Sequence, residues 1–246
     1  MKNQPLEKEL SILLPAYNEA AQIKPCIHAV EVALQTFCKS YEIIVSEDGS
    51  TDGTDKIVAA LAKSNPNLVL LHSPLRLGKG RAIKNAVNAA RGRYIAFMDV
   101  DLATDLVCLP KLYEVVKSQG GMAIGSRHIK GSKVQRQPMR TLFSLSYNIF
   151  VRVLFFDGVR DHQCGFKVMS QSTANVVLGG SFSDGYFFDT EMIIWCKRLG
   201  YPVTEVAVTW REKNKGGSKV NPARDSRKIA WDMLMFRFNR QKTSLK

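Results

Sequence analysis

The sequence predicts an α/β fold in which helices flank a mostly parallel β-sheet. From residue 9 to about residue 105, short apolar runs typical of buried strands alternate with segments of helical periodicity, and short turns join them. This alternation is typical of parallel strands connected by crossover helices. The chain has 246 residues, of which 45% are hydrophobic, enough for one large domain with its own core.

The first half contains four predicted strands and three predicted helices. Strands are expected where apolar runs end at proline or at polar residues, namely at residues 9–15, 41–46, 68–71 and 94–98. Helices are expected where apolar residues recur at helical spacing, at residues 18–36, 52–62 and 80–90.

The second half follows a less regular pattern. Strands are expected at residues 122–125 and 203–210, and helices at residues 140–156, 188–199 and 223–240. A loop rich in glycine and lysine, residues 214–222, precedes the last helix, which is basic and amphipathic. No internal repeat or linker separates the halves, so the sequence predicts a single domain over residues 1–246.

Charge and cysteine content exclude several classes of protein. Lys and Arg number 35 against 22 Asp and Glu, and the net charge of +13 favours polyanionic partners: nucleic acid, anionic lipid headgroups or phosphorylated substrates. The five cysteines form no Cys-x-x-Cys pair, which argues against a disulfide framework or zinc site and fits a reducing cytosol. No segment has the roughly 20 apolar residues of a membrane span, so we expect a soluble or membrane-peripheral protein.

Two segments have the composition of helices that lie on a membrane surface. In helix 140–156, one side carries apolar residues with arginines nearby: Leu142, Leu145, Ile149, Val153 and Phe156. The last helix combines aromatic and basic residues in the same way. Such helices lie in the headgroup plane, or they pack on a core and expose a basic face to solvent. The pattern leaves both interpretations open.

The strongest chemical signal is the pair Asp99 and Asp101, which follows the predicted strand 94–98. Side chains two residues apart in extended chain point to the same side, so both carboxylates can reach one ion. Mg²⁺ or Mn²⁺ accepts oxygens from carboxylates and from phosphates. A solvated turn or a helix cap is the alternative interpretation.

Other polar segments also stand at strand ends, where ligands bind in open α/β sheets. Pro15, Tyr17 and Glu19 follow the first strand, and the segment 47–54 (EDGSTDGT), which contains Asp48, follows the second. Each is explained equally by turn and capping chemistry. Lys79 stands between two glycines before a helix, where backbone N–H groups can face a phosphate.

Together these segments resemble the family-2 glycosyltransferases of GT-A fold, a Rossmann-like fold of nucleotide-diphospho-sugar transferases. The resemblance rests on their order and spacing: PAYNE at 15–19, EDGSTDGT at 47–54, RLGKG at 76–80 and DVD at 99–101. The second half is similar to the polyprenyl-phosphate (dolichyl-phosphate) sugar synthases, and closer to the glucose branch than to the mannose branch. The segments that carry this likeness are GSR at 125–127, DHQCGFK at 161–167, FDTE at 188–191 and GSK at 217–219.

The resemblance implies roles for individual residues. Donor binding falls to Pro15, Tyr17, Glu19, Asp48, Lys79, Asp99, Val100, Asp101, Arg127, Arg211 and Lys219. Asp99 and Asp101 would hold Mg²⁺ or Mn²⁺. The catalytic set would be Asp101 and Arg127 on the donor side, with Arg140 and Ser144 receiving a lipid phosphate. Ala103 stands where the mannose synthases have a glutamine that helps to bind the ion, which leaves the third ligand open, with water as a candidate.

The activity implied is inverting, metal-dependent transfer of a hexose from a nucleotide sugar, with UDP-glucose favoured, to polyprenyl or dolichyl phosphate. The nucleotide would bind to residues 10–105 and the acceptor to residues 106–240, whose amphipathic helices would lie at the interface. We expect a protein on the cytoplasmic face of a membrane, with a membrane protein as a possible further partner and no nucleic acid. The alternatives are GDP-mannose or a UDP-N-acetylhexosamine as donor, and a sugar hydroxyl of a glycolipid or polysaccharide as acceptor.

The acceptor decides whether a base is needed. A hydroxyl requires a general base, whereas a phosphate monoester is already anionic at pH 7 and needs cations that hold it in line. Arg127, Arg136 and Arg140 suit a phosphate acceptor. Asp161 and Asp189 are the candidate bases for a hydroxyl acceptor.

Overall fold

The computed structural model describes residues 7–179, 183–185, 187–213, 229 and 231–237. Its strands are β1 (Lys8–Ala16), β2 (Tyr41–Asp48), β3 (Leu68–Ser73), β4 (Gly92–Phe97), β5 (Met122–Ser126), β6 (Lys133–Gln135), β7 (Lys167–Ser170), β8 (Val203–Ala207) and β9 (Thr209–Arg211).

The helices are α1 (Ile23–Gln35), α2 (Thr54–Ala62), α3 (Lys79–Ala89), α4 (Leu109–Gln119), α5 (Pro138–Phe155), α6 (Gln171–Gly179) and α7 (Phe188–Arg198). A short 3-10 turn (Leu106–Cys108) leads into α4. Residues 231–237 are also helical. The predicted helix 223–240 lies mostly outside the described residues.

In the described part of the chain, seven strands form one sheet in the order β3-β2-β1-β4-β7-β5-β8. All run parallel except β7, which is antiparallel to both of its neighbours. The predicted mostly parallel sheet is therefore confirmed. The strand order changes direction between β1 and β4, and the crevice beyond such a point is where open α/β sheets bind ligands.

Helices cover both faces of this sheet, and strand alternation directs side chains to two separate cores. Ile12 and Leu14 of β1 pack with α1, α2 and α4 on one face. Leu13 between them packs with α3, α6 and α7 on the other. A residue period of two is what a strand buried on both faces requires, and it explains why β1 reads as a continuous apolar run.

Helix α5 buries its polar side and exposes its apolar side. Its buried residues are Ser144, Asn148 and Val151. The apolar residues on the opposite side are mostly exposed, at Leu142 57%, Phe143 66%, Ile149 55%, Val153 64% and, just past the helix, Phe156 84%. The interpretation in which the apolar stripe of this helix faces the core is therefore wrong.

A third apolar cluster joins α5 and α7 to the described C-terminal helical residues. Val151, Phe187 and Ile194 pack there against Met233 and Phe236. Trp231, on the same C-terminal helical segment, is 64% exposed. Residues 231–237 therefore pack on α5 and α7 through Met233 and Phe236 and leave Trp231 exposed.

The structure differs from the sequence prediction mainly after residue 105. The predicted strand 203–210 is two strands, because the chain leaves β5 after Ala207 and pairs with β6 to form a separate small sheet. Helices α4 and α6 and strand β7 were not predicted. Strand β7 spans only four residues and begins with Lys167, so it lacks the apolar run that marks the other central strands.

Candidate active site

Two loops beyond the sheet edge are hydrogen-bonded to each other. The backbone N–H of Asn18 donates to Ser50 Oγ at 2.9 Å, and Asn18 Oδ1 accepts from the N–H of Thr51 at 2.8 Å. The N–H of Glu19 donates to Thr54 Oγ1 at 2.9 Å. These contacts begin α1 at Ile23, five residues later than the helix predicted from residue 18.

The carboxylate of Asp48 is already occupied by backbone donors. It accepts from the N–H groups of Leu77 and Gly78 at 2.7 and 2.8 Å, which fixes the turn before α3. Asp48 is buried, so its visible role is to hold this loop. Nucleoside binding by Asp48 stays a prediction.

Tyr17, which the resemblance assigns to donor binding, is stacked against an arginine. The guanidinium carbon of Arg76 lies 4.0 Å from the centroid of the Tyr17 ring. Pro15 and Glu19, from the same loop as Tyr17, are half-buried. A base that packs on this face of Tyr17 has to displace or share Arg76.

Asp99 and Asp101 lie side by side beyond β4. Val100 between them points into the core, so only its backbone is open to a ligand. Asp101 Oδ1 accepts from the N–H of Ala103 at 3.0 Å. Burial and the nearby charge of Asp99 raise the pKa of Asp101, which marks a place where a second negative charge is disfavoured.

Gly165 forms the floor beneath Asp99. A Cβ at this position would lie 2.0 Å from Asp99 Oδ2, a distance that no side chain tolerates. The glycine therefore lets the loop before β7 approach the carboxylate.

A chain of alternating charges leads from Asp99 into the protein. Lys79 Nζ lies 2.8 Å from Asp99 Oδ1 and 3.2 Å from Asp189 Oδ2. Asp189 Oδ1 in turn accepts from Lys167 Nζ at 2.6 Å. Burial opposes ionisation of Asp189, but the two lysines outweigh it and lower its pKa.

A small pocket opens beside the two carboxylates. Its wall consists of residues from the end of β4, the loop before β7 and β9: Met98, Asp99, Asp101, Leu102, Ala103, Thr104, Gly165, Phe166 and Trp210. Within the described ranges, no group of three or more His, Cys, Asp or Glu side chains is placed to hold a metal. An ion here would take the remainder of its ligands from substrate or water.

Arg127 is engaged by a buried carboxylate. Its Nε and terminal nitrogen donate to the two oxygens of Asp161 at 2.7 and 2.8 Å, and its backbone N–H adds a third bond at 2.9 Å. Burial opposes ionisation of Asp161, but the Arg127 charge and these bonds lower the pKa of Asp161 to about 2. Donor contact by Arg127 stays a prediction.

Two more arginines stand near the pocket wall. The guanidinium carbon of Arg136 lies 5.3 Å from the centroid of the Trp210 ring, and its Nε is buried without a hydrogen-bond partner in the described structure. Burial and the charge of Arg127 lower the pKa of Arg136 to about 10. Arg140, by contrast, is paired with Glu212.

The remaining predicted site residues are more scattered. Ser144 is buried on α5, with its Oγ 3.3 Å from His128 Nε2. The backbone N–H of Arg211 donates to Ala103 O at 2.8 Å, while its side chain is exposed. Lys219 lies outside the described residues.

The sequence prediction missed Arg76, Gly165, Lys167 and Trp210. Arg76 and Trp210 stack on side chains from other segments, and the sequence does not show which residues become their neighbours. Lys167 is a charged residue in a buried strand, where an apolar residue is expected. Arg76 stands within RLGKG at 76–80, and Gly165 and Lys167 stand within DHQCGFK at 161–167. The resemblance singled out both segments, so a signal was present without a role.

Comparisons with known proteins agree with this geometry. The family model "Glycosyl transferase family 2" matches residues 11–177. The chain is 38% identical to the glycosyltransferase AglD of Haloferax volcanii over 88% of its own length, but it spans only 35% of that relative. It is 32% identical to the dolichyl-phosphate beta-glucosyltransferase of Dictyostelium discoideum, covering 93% of this chain and 74% of that protein.

Among solved structures, glucosyl-3-phosphoglycerate synthase of Mycobacterium tuberculosis, in complex with Mn²⁺ and UDP, superimposes with a TM-score of 0.67 at 21% identity. The match covers 96% of this chain and 82% of that one, and it shows the GT-A fold. With the family model spanning most of the sequence, the chain belongs to glycosyl transferase family 2.

Proposed function

We propose that this glycosyltransferase moves glucose from UDP-glucose to a polyprenyl or dolichyl phosphate, with inversion at the anomeric carbon. The observation that carries the proposal is the carboxylate pair Asp99 and Asp101, which lies at the ligand-binding edge of the sheet beside a pocket. Lys79 pairs with Asp99 on one side of the pocket, and two arginines, Arg127 and Arg136, lie over the ring of Trp210 on the other.

The carboxylate pair suits a divalent cation. Asp99 has an ion pair with Lys79, and among the described residues Asp101 has none. Mg²⁺ and Mn²⁺ take carboxylate, phosphate and water oxygens, so both residues fit as ligands for either ion. When bound, the ion would neutralise the charge of the departing diphosphate.

The site favours an acceptor that needs no base. Asp161 and Asp189, the two candidate bases, are both ion-paired, and the pKa of each is lowered. A carboxylate with a lowered pKa is a poor proton acceptor near neutral pH. A phosphate monoester arrives ionised, so the protein has only to hold it in line with the sugar carbon.

Arg136 is the strongest candidate to hold that phosphate, together with the predicted Arg140 and Ser144. Its guanidinium has no carboxylate partner in the described structure, and its Nε lacks any acceptor. Buried polar groups without partners are costly, and an anionic oxygen would satisfy this one. Trp210 lies between Arg136 and the pocket and would align the guanidinium plane.

The exposed side of α5 supports a lipid acceptor at a membrane surface, on its cytoplasmic face as the sequence suggested. A continuous row of large apolar side chains there is unusual for a surface that meets only water. Arg152 on the same helix is exposed as well, and basic residues near the surface are attracted to anionic lipids by about 1 kcal/mol each. No helix among the described residues is both long enough and apolar enough to span a bilayer.

Glucose and UDP are supported by the relatives. The relative from Dictyostelium discoideum is named a dolichyl-phosphate beta-glucosyltransferase, and the mycobacterial synthase was solved with UDP and Mn²⁺. The other donors foreseen, GDP-mannose and UDP-N-acetylhexosamine, compete directly in the test below.

The test is a transfer assay with a panel of radiolabelled nucleotide sugars, polyprenyl phosphate in anionic vesicles, and Mg²⁺ or Mn²⁺. Label from UDP-glucose should enter the organic phase, and a chelator should abolish transfer. Arg136→Met should raise the KM for the lipid phosphate more than that for UDP-glucose. Absence of transfer from every donor would contradict the proposal.

Vesicle flotation tests the surface separately. The double variant Phe143→Ser with Val153→Ser should lose flotation with anionic vesicles while keeping its melting temperature. The matched control is Val32→Ser, an exposed apolar residue on α1; equal flotation of both variants would remove α5 from the membrane contact.

The runner-up is transfer to a sugar hydroxyl. It requires Asp161 or Asp189 to act as a base, so changing the acting residue to Asn should abolish transfer. Transfer that survives both Asp161→Asn and Asp189→Asn favours the phosphate acceptor.

A further inference from the structure

Lys79 occupies the coordination space of the carboxylate pair. Its ammonium group lies 2.8 Å from Asp99 Oδ1, so it holds one of the oxygens that a shared cation would need. The other oxygen, Oδ2, is backed by Gly165. Gly165 therefore limits the rotation of Asp99 on that side, while the rest of the carboxylate is open to solvent.

Lys79 keeps a second anchor when Asp99 is taken from it. Asp189 Oδ2 lies 3.2 Å from the same Nζ atom. Asp189 is itself held by Lys167, which is fully buried and also donates to the backbone oxygen of Cys164 at 2.6 Å. When a cation takes Asp99, Lys79 would stay at the pocket through Asp189 and would have one carboxylate partner fewer.

The formal charge of this cluster changes sign when a divalent cation binds. Three carboxylates (Asp99, Asp101 and Asp189) and two ammonium groups (Lys79 and Lys167) leave one negative charge in this cluster. A divalent cation turns that into one positive charge, which favours a diphosphate. Of the two lysines in this cluster, Lys79 lies nearer to the pocket. With Asp99 bound to the ion, Lys79 would have one carboxylate partner fewer.

We propose that Lys79 acts as a displaceable resident cation: it competes with the divalent ion for Asp99 and, once displaced, donates to the nucleotide diphosphate. This inference rests on the proposed function. Its consequence is coupling, in which the ion alone binds weakly and the nucleotide strengthens its binding. Lys79 is a positioning residue for the donor and also sets the affinity for the ion.

A purely structural salt bridge would behave differently. It would stabilise α3 against α7, and its loss would weaken the binding of both ligands or of neither. Competition predicts opposite changes for the two ligands, and this difference separates the two roles.

The experiment uses Lys79→Met, which keeps the length of the side chain and leaves Asp189 paired with Lys167. Lys84→Met is the matched control, because Lys84 lies on the same helix and pairs with Asp184 at 3.2 Å. Mn²⁺ affinity is measured by calorimetry and by the electron paramagnetic resonance of free Mn²⁺. UDP affinity is measured at saturating Mn²⁺.

Lys79→Met should bind Mn²⁺ alone about two- to fivefold more tightly, the effect of removing one partly exposed competing ion pair. It should bind UDP with Mn²⁺ about tenfold more weakly or worse, the loss of one charge-assisted hydrogen bond. Lys84→Met should match the wild type in both measurements. Weaker or unchanged Mn²⁺ binding by Lys79→Met, or unchanged UDP binding, overturns the inference.

The wild-type protein provides a second readout that does not depend on the variant's folding. After reductive ¹³C-methylation of lysines, the Lys79 resonance, assigned by its absence in Lys79→Arg, should shift with Mg²⁺ and shift again with UDP. A Lys79 resonance whose chemical shift changes with neither Mg²⁺ nor UDP overturns the inference. If the wild type binds no divalent ion even with UDP present, the proposed function itself fails.

Discussion

Four aspartates near the pocket fall into two groups that differ in how their charge is balanced. Inside the protein, Asp161 has Arg127, and Asp189 has Lys79 and Lys167. At the end of β4, Asp99 and Asp101 have Lys79 as their one ion-pair partner among the described residues.

This difference in charge balance indicates which of the two groups is the expected ligand site. The pKa of Asp161 is lowered, because its partner outweighs the cost of burial, whereas that of Asp101 is raised by burial and by Asp99. Folding has therefore balanced the charge of the first group and left that of the second to be balanced by something that binds. Both groups consist of aspartates, so residue type alone does not distinguish them.

The largest effect is expected from neutralising the unbalanced group. Asp99→Asn with Asp101→Asn should lower kcat/KM by about a thousandfold or more, because the cation worth several kcal/mol to the transition state is lost. The melting temperature should fall little or even rise. Transfer assays and thermal unfolding check both; retained activity would show that the pair is not the cation site.

Breaking the balanced group should cost stability instead. Arg127→Met leaves Asp161 buried without its partner, and we expect unfolding to become about 3–5 kcal/mol easier. Urea unfolding measures this, with Arg160→Met, at an exposed arginine in the same region, as the control. A loss below about 1 kcal/mol would mean that Asp161 finds another donor.

Acid should break the same pair. The folded pKa of Asp161, about 2, lies below its ordinary value of 3.8, so its stabilisation is complete above about pH 4 and is lost as the pH falls toward 2. The shift corresponds to at most about 2.5 kcal/mol. Urea unfolding between pH 5 and pH 2.5 should show this slope in the wild type and a smaller slope in Asp161→Asn; equal slopes would contradict the assignment.

The smallest effect is expected where a pair is partly open to solvent. Glu212→Gln frees Arg140, and because exposed pairs contribute little, stability should change by less than about 1 kcal/mol. The KM for the lipid phosphate should fall by a few-fold if Arg140 binds the acceptor. Steady-state kinetics decide this, and an unchanged KM leaves the acceptor to Arg136.

Local patterns predicted most of the first half correctly. Strands β1 to β4 and helices α1 to α3 are marked by apolar periodicity, which depends only on neighbouring residues. Asp99 and Asp101 follow directly after the apolar run of β4. Helix α4 was missed although Leu109, Leu112, Tyr113 and Val116 recur at helical spacing. Strand β7 had no such signal, because it spans four residues and begins with Lys167, whose buried charge is held by Asp189 and by the backbone oxygen of Cys164.

The sequence by itself determined the mostly parallel sheet and the family, and it predicted the edge of the sheet at which we expect ligands to bind. Its periodicities are properties of neighbouring residues, and its motifs are contiguous. Only the tertiary structure decided which charges have partners. Arg127 and Asp189 are neutralised by residues far away in the chain, while Arg136 and Asp101 have no ion pair within the part of the chain that the structure describes. Charge balance depends on distances of a few ångströms between remote segments, and no local pattern records those distances.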